Sequence, residues 1–305
     1  MKYRTIYISR GDEISLYYNN MRLKRDEEII QIPIEDINSL IIDDVTLQFS
    51  VSLFNKLVEN DVLVLLCNEK HLPDSQLFPL HNHSRQTKMI LNQINWLDFK
   101  KQSAWTKIVQ SKIHNQKENA VFQNCSQTDI NFLNNFENTV ELGDKTNREG
   151  LAAKKYFTSI FGNSFTREQD TLINASLNYG YAILMSAVAR TLSSKGLILP
   201  LGIHHKSEYN HYALACDLME PFRPIIDYFI IKLLKQYSEF DKYLKSEICN
   251  ILSEKIIITN KVFSISKSIE IYIDAFLKYM TDDKFDFNDN YFPQFIKGDN
   301  DEFEV

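Results

Sequence analysis

The sequence predicts an α+β protein, with a small N-terminal mostly-β domain followed by a larger all-α domain. Three observations carry this reading. The first third of the chain alternates short β-rich runs with turn residues. Residues 68–83 break that pattern with Pro73, Pro79, three histidines and polar side chains. From Arg85 onward, apolar residues recur at helical spacing. The 305 residues, 44% of them hydrophobic, suffice for two cores.

Taken in order, residues 5–8, 14–18 and 21–24 are short β runs, with Asn19-Asn20 as a hairpin turn. Residues 28–34 continue the pattern and end at Pro33, and residues 39–42 form another strand. Residues 49–60 show helical periodicity through Val51, Leu53, Phe54, Leu57 and Val58. Residues 62–67 are a continuous apolar run that suits a buried strand. The domains expected are 1–70 (β), 71–88 (linker), 89–281 (helical) and 282–305 (acidic tail). The helical part holds periodic stretches at 96–117, 144–157, 170–194, 246–252 and 265–280, and an apolar run after Pro221. The run at 170–194 contains Tyr179-Gly-Tyr181 and Arg190, and its leucine and isoleucine stripe is core. There is no apolar run of membrane-spanning length and no Walker loop, dinucleotide fingerprint or nucleophile elbow.

Composition narrows the function. The net charge of −6 lies wholly in residues 282–305, which carry eight acidic residues against two lysines; the body balances 32 basic with 32 acidic residues. A neutral body still has room for a basic face. Cys67, Cys125, Cys216 and Cys249 are scattered, with no CxxC pair, as expected of reduced thiols in a cytoplasmic protein. The N-terminus is polar and strand-like, unlike a signal peptide. In the stretch 96–117, Lys107, Lys112 and Lys117 lie among Trp105, Ile108, Val109 and Ile113. Two readings stand: a solvated lysine face, or one that tracks phosphates. His71, His81 and His83 read as solvated loop histidines or a sparse metal cluster.

Residues 202–224, GIHHKSEYNHYALACDLMEPFRP, concentrate the chemistry. Three histidines, Asp217, Glu220 and Arg223 fall within 23 residues. Asp217 and Glu220 share one side of a helical turn. They are open to two readings, an N-cap with its capping box or part of a divalent-metal site. Thr146-x-x-Glu149 also fits a capping box, yet Gly150 follows in the first turn, where a glycine lets another group approach the backbone.

Three blocks occur in order: NREGLAAKKYF at 147–157, LGIHH at 201–205 and DLMEPFRP at 217–224. Together they resemble the CRISPR-associated endonuclease/integrase of spacer acquisition, the larger subunit of the adaptation complex, in its type II branch. The resemblance implies a metal site of Glu149, His205 and Glu220, with Asp217 nearby and in contact through water. His205 fits the family spacing from Gly202, and His204 is an added imidazole. The implied cofactor is Mg²⁺ or Mn²⁺, since two carboxylates and an imidazole suit such ions and leave places for phosphate oxygens. The implied reaction inserts short DNA fragments into a repeat array by 3′-hydroxyl attack, with cleavage when water attacks instead. Arg148, Lys155, Lys206, Arg223, Lys107, Lys112 and Lys117 are the candidate DNA phosphate contacts. The implied partners are double-stranded DNA, a second copy joined through the β domains and a small ferredoxin-like subunit. Type II systems add a ring-shaped DNA-end-binding tetramer and the RNA-guided effector nuclease. Two other classes compete: a catalytically silent DNA-binding scaffold, and a metal phosphohydrolase acting on small substrates.

Overall fold

The structure, a computed structural model, describes residues 4–79 and 83–296. Its N-terminal part holds two four-stranded sheets. In one, β1 (Arg4–Ile8), β5 (Ile37–Ile42) and β7 (Leu63–Cys67) run parallel, and β8 (Pro73–Gln76) closes the edge antiparallel to β7. In the other, β2 (Glu13–Tyr17), β3 (Asn20–Arg25) and β4 (Glu28–Pro33) form a meander, with β6 (Gln48–Phe49) parallel to β2. Helix α1 (Val51–Glu59) packs between strands β2 and β7.

Strand β5 is buried along its whole length because it is covered on both faces. The period-2 alternation divides its side chains. Leu40 and Ile42 join the small core with Leu53, Leu57 and Val64, while Ile41, Leu63 and Leu65 join the large helical core. Arg190 fastens the same junction, donating to the carbonyls of Asn38 and Asp61, each at 3.0 Å.

The helical part comprises α2 (Gln86–Ile94), α3 (Asp98–Phe122), α4 (Gln127–Asn138), α5 (Arg148–Phe161), α6 (Leu172–Ser194), α7 (Ala213–Met219), α8 (Arg223–Leu233), α9 (Lys242–Asn250) and α10 (Ile265–Thr281). Helix α6 has the length and apolar content to cross a bilayer, contrary to the expectation that no run does. Here it is the central core helix, with most of its side chains buried. Gly180 lets α8 approach it: a Cβ there would lie 2.6 Å from Ile230 Cδ1.

The fold class agrees with the sequence, and several elements differ in detail. The hairpin turn is Tyr18-Asn19, since Tyr17 pairs with Asn20, and Tyr18 takes the positive φ of 52°. Strand β8 lies inside the stretch read as linker; its Pro73 is tolerated because the strand is an edge. A hairpin, β9 (Lys255–Ile258) and β10 (Lys261–Ser264), interrupts the helices, turning through Thr259 and Asn260 at positive φ. Residues 282–296, read as acidic tail, form an aromatic strap. Phe287, Phe292 and Phe295 are buried, and Gln294 bridges to Ile257.

One buried polar network joins four helices. Asp227 of α8 accepts from Tyr156 of α5 at 3.1 Å and from Tyr181 of α6, and Asn119 of α3 donates to Tyr156 at 2.6 Å. Burial pushes the Asp227 carboxyl up to about 6, with the Tyr181 hydroxyl and the Arg223 charge offsetting only part of the cost. The sign follows. The unfolded carboxyl loses its proton near 3.8 and the folded one near 6, so this group's contribution is full below the lower value and is lost as pH rises through the upper. The loss amounts to about 3 kcal/mol. Asp227→Asn should therefore flatten the fall in stability between about pH 4 and pH 6 in urea unfolding series. A variant with the wild-type slope would contradict this.

Candidate active site

Helix α3 forms the floor of the site. Trp105, Lys112, Asn115 and Asn119 are all buried along it. Asn115 Nδ2 donates to the carbonyls of Pro221 and Pro293, both at 2.9 Å, so the floor is tied to the turn carrying Glu220 and to the aromatic strap. Lys107 adds a second tie to the strap, reaching Asp286 at 3.3 Å and the Phe287 carbonyl at 2.8 Å.

Glu149 enters from the first turn of α5. The cap is Asn147, not the Thr146 box read from the sequence. Asn147 adopts the left-handed region at φ 52° and accepts from the Gly150 amide at 3.2 Å. Gly150 is needed for this, since a Cβ would lie 2.9 Å from the Asn147 amide group. Asp144 completes the start by accepting from the Arg148 and Glu149 amides at 2.8 and 3.0 Å. Asp144 was missed as a functional position; its signal was an acid just ahead of a helix start.

Glu220 enters from the short 3₁₀ turn between α7 and α8 and is only 4% exposed. Its Oε1 accepts from Arg223 at 2.8 Å, and its Oε2 lies 2.5 Å from Lys112 Nζ. The same ammonium pairs with Glu149. Burial alone would raise the Glu220 carboxyl, but Arg223 and Lys112 overcome it and hold the group at about 2. Burial likewise opposes the charge on Lys112, and Glu220 and Glu149 outweigh it, raising its pKa.

The histidines arrive on the loop after α6. Gln93 of α2 pins that loop, donating to the Ile198 and Leu201 carbonyls at 2.9 and 3.0 Å and accepting from the Ile198 amide at 2.8 Å. Asp217 lies inside α7 and is fully buried, so it is not the helix cap of the alternative reading. Its carboxylate accepts from the backbone amides of Ile203, His204 and His205 at 2.7, 3.0 and 3.2 Å, and takes His205 Nδ1 at 2.5 Å. Gly202 permits this turn: a Cβ would stand 2.7 Å from both Asp217 Oδ2 and the His205 carbonyl. The bond to Asp217 raises the His205 pKa against the opposing effect of burial, and the charges of Glu220 and Glu149 act in the same direction. His204 differs. It stacks on Trp105 at 4.1 Å and 7°, and burial lowers its pKa.

The structure thus brings Glu149 and Glu220 onto one cation, and Asp217 clamps His205, whose ring feels the charge of both glutamates. Among the described residues no three His, Cys, Asp or Glu side chains close into a metal cage, and Lys112 lies between the two glutamates. The donors nevertheless fit a hard divalent ion: two carboxylates already converge on one positive charge, and His205 keeps Nε2 for a ligand while Nδ1 is bonded to Asp217. Of the loop histidines, His71 pairs with Asp43 at 2.9 Å, His83 Nδ1 accepts from the Arg85 amide, and His81 lies outside the described residues.

The candidate phosphate contacts are dispersed. Lys112 is a correction: buried between carboxylates, it is no surface contact here. Lys107 and Lys117 do not share a face with it, because steps of five residues turn a helix by about 140° each time. Lys117 pairs with Glu137 at 2.7 Å and Lys155 with Asp129. Arg148 lies over the Phe136 ring and Arg223 over Tyr181, while Lys206 is exposed on the histidine loop.

The chain resembles known proteins over most of its length. The family model described as CRISPR associated protein Cas1 matches residues 6–256. A CRISPR-associated endonuclease Cas1 of Neisseria meningitidis serogroup C (strain 8013) is 34% identical over 287 residues, covering 92% of this chain and 93% of the relative. A casposase bound to integration product shares the fold with a TM-score of 0.72 at 18% identity, over 93% of this chain and 92% of that one. A chain of a Cas6-RT-Cas1–Cas2 complex superposes with a TM-score of 0.67 at 18% identity, over 92% of this chain and 35% of that one.

The histidine loop makes a sharp prediction. Asp217→Asn turns an amide toward three N–H donors and should cost about 3 kcal/mol of unfolding free energy. Gly202→Ala should cost about 1–3 kcal/mol through overpacking. Urea unfolding midpoints test both, and a wild-type midpoint for Gly202→Ala would contradict the close approach of Asp217 Oδ2.

Proposed function

Because the chain belongs to the CRISPR-associated Cas1 family, we propose that it is a metal-dependent DNA endonuclease and integrase. It inserts short foreign fragments into a CRISPR repeat array, in the cytoplasm, as the larger subunit of a type II adaptation complex. The observation that carries this reading is the meeting of Glu149 and Glu220, far apart in sequence, on one buried positive charge beside a histidine oriented by Asp217.

Glu149, His205 and Glu220 would hold Mg²⁺ or Mn²⁺, with Asp217 behind His205. Bound there, the ion supplies Lewis-acid polarisation of a phosphodiester and helps to generate an oxygen nucleophile. The chain's own residues supply the rest. Arg223 keeps Glu220 ionised in its buried position. Asp217 fixes the His205 ring, so that Nε2 is presented without rotamer search. His204 serves as the packing partner of Trp105. Lys206, exposed next to His205, is the best placed of the candidates to meet a phosphate.

The nucleophile chooses the outcome: a 3′-hydroxyl gives strand transfer, and water gives cleavage. The partners we propose are double-stranded DNA, a second copy of the chain through the β part, and the small Cas2-type subunit. The last is supported by the likeness to the Cas1-containing chain of a Cas1–Cas2 assembly. The ring-shaped end-binding tetramer and the effector nuclease belong to the same type II reading.

A strand-transfer assay tests the proposal, using the purified chain with its small partner, a short duplex with 3′ overhangs and a supercoiled repeat plasmid. Glu149→Ala, His205→Ala and Glu220→Ala should each lower joining by about 100-fold or more, and excess EDTA should abolish it. His204→Ala should fall by about tenfold at most. Wild-type joining in EDTA, or reversed effects for the two histidines, would refute the assignment.

A further inference from the structure

We propose that Lys112 is the resident counter-ion of the Glu149–Glu220 pair, and that a divalent cation binds there by displacing its ammonium. Lys112 is then a positioning residue that sets the metal affinity of the site. The inference rests on the metal-dependent reading above and concerns this chain's own side chain.

Lys112 lies midway along α3 and is 4% exposed. Its Nζ contacts Glu149 Oε1 and lies 2.5 Å from Glu220 Oε2, while Arg223 holds the other Glu220 oxygen at 2.8 Å. The group is therefore balanced, with two carboxylates against one ammonium and one guanidinium. A divalent ion added to a balanced, water-poor cluster leaves two uncompensated positive charges at close range. In such surroundings that repulsion is poorly screened. The ion and the ammonium also require the same carboxylate oxygens. Withdrawal of the ammonium relieves both conflicts.

The residue type suits exchange. A lysine is a point charge on a flexible four-carbon stem, whereas an arginine would lock both carboxylates in a planar fork. The helix beneath need not move when the ammonium leaves, because it is anchored separately. Asn115 holds the Pro221 and Pro293 carbonyls, and Asn119 holds the Pro224 carbonyl at 3.2 Å. Before loading, Lys112 keeps two like charges from separate elements together, so the carboxylates stay converged.

The test measures Mn²⁺ affinity of the full chain by EPR titration. Lys112→Met removes the charge at similar volume, and Lys112→Arg keeps it. Lys112→Met should bind Mn²⁺ about tenfold more tightly than wild type, or better, and Lys112→Arg should bind no more tightly than wild type. Equal or weaker binding by Lys112→Met overturns the proposal. Should that variant fail to fold, a crystal structure of the Mn²⁺-loaded wild type decides. Lys112 Nζ beyond ion-pair distance of both glutamates supports displacement, and Nζ still between them refutes it. No Mn²⁺ binding by the wild type would instead remove the metal-dependent reading itself, and the exchange with it.

Discussion

Placing Glu220 out of water is the constraint on which the rest of the site depends. A buried carboxylate is tolerated only when paired and hydrogen-bonded. Two cations meet that need, Arg223 from the start of α8 and Lys112 from the middle of α3. Using Lys112 obliges α3 to pass directly beneath the 3₁₀ turn, and the same ammonium then draws in Glu149 from α5. One electrostatic requirement thus fixes the relative placement of α3, α5 and the α7–α8 junction. The Asn115 and Asn119 amides reinforce it by donating to the Pro221 and Pro224 carbonyls.

The histidine loop meets a parallel requirement in a different way. Among the described residues no lysine or arginine pairs with Asp217; its buried charge is met by three successive backbone amides and an imidazole. Such a nest of amides can form only if the chain passes very close to the carboxylate, which is why Gly202 stands at the turn. The two neighbouring imidazoles are driven apart in character by what they touch. His205 faces a carboxylate and gains basicity, whereas His204 lies flat on Trp105 and loses it.

Much of the fold was legible in the sequence because burial patterns repeat. The short β runs and turn residues of β1 to β5 and the helical periodicity of α1, α3, α6 and α10 are readable from the residues alone. Elements with little or no burial period did not. Strand β6 has two residues, β8 is polar and contains a proline, and α4 buries only Leu133. The β9–β10 hairpin carried a readable signal in its β-branched run around Thr259-Asn260, which its helical surroundings masked. In the tail, counting charges hid the spacing of Phe287, Phe292 and Phe295. For the site, Glu149, His205 and Glu220 stood out because they fall in compact blocks. Lys112, Gln93 and Asp144 sit outside those blocks or act on the backbone, so no local pattern marks them. The lysines of α3 were misread for a geometric reason: a five-residue spacing looks regular in sequence but scatters around a helix.

In the proposed site His205, not its neighbour, shares a divalent ion with Glu149 and Glu220. Pulsed EPR of the Mn²⁺-loaded chain reads this directly, through the coupling of a histidine nitrogen to the ion. That coupling should be present in wild type, persist in His204→Ala and vanish in His205→Ala. A nitrogen coupling that survives in His205→Ala, or is absent from the Mn²⁺-loaded wild type, would contradict the assignment.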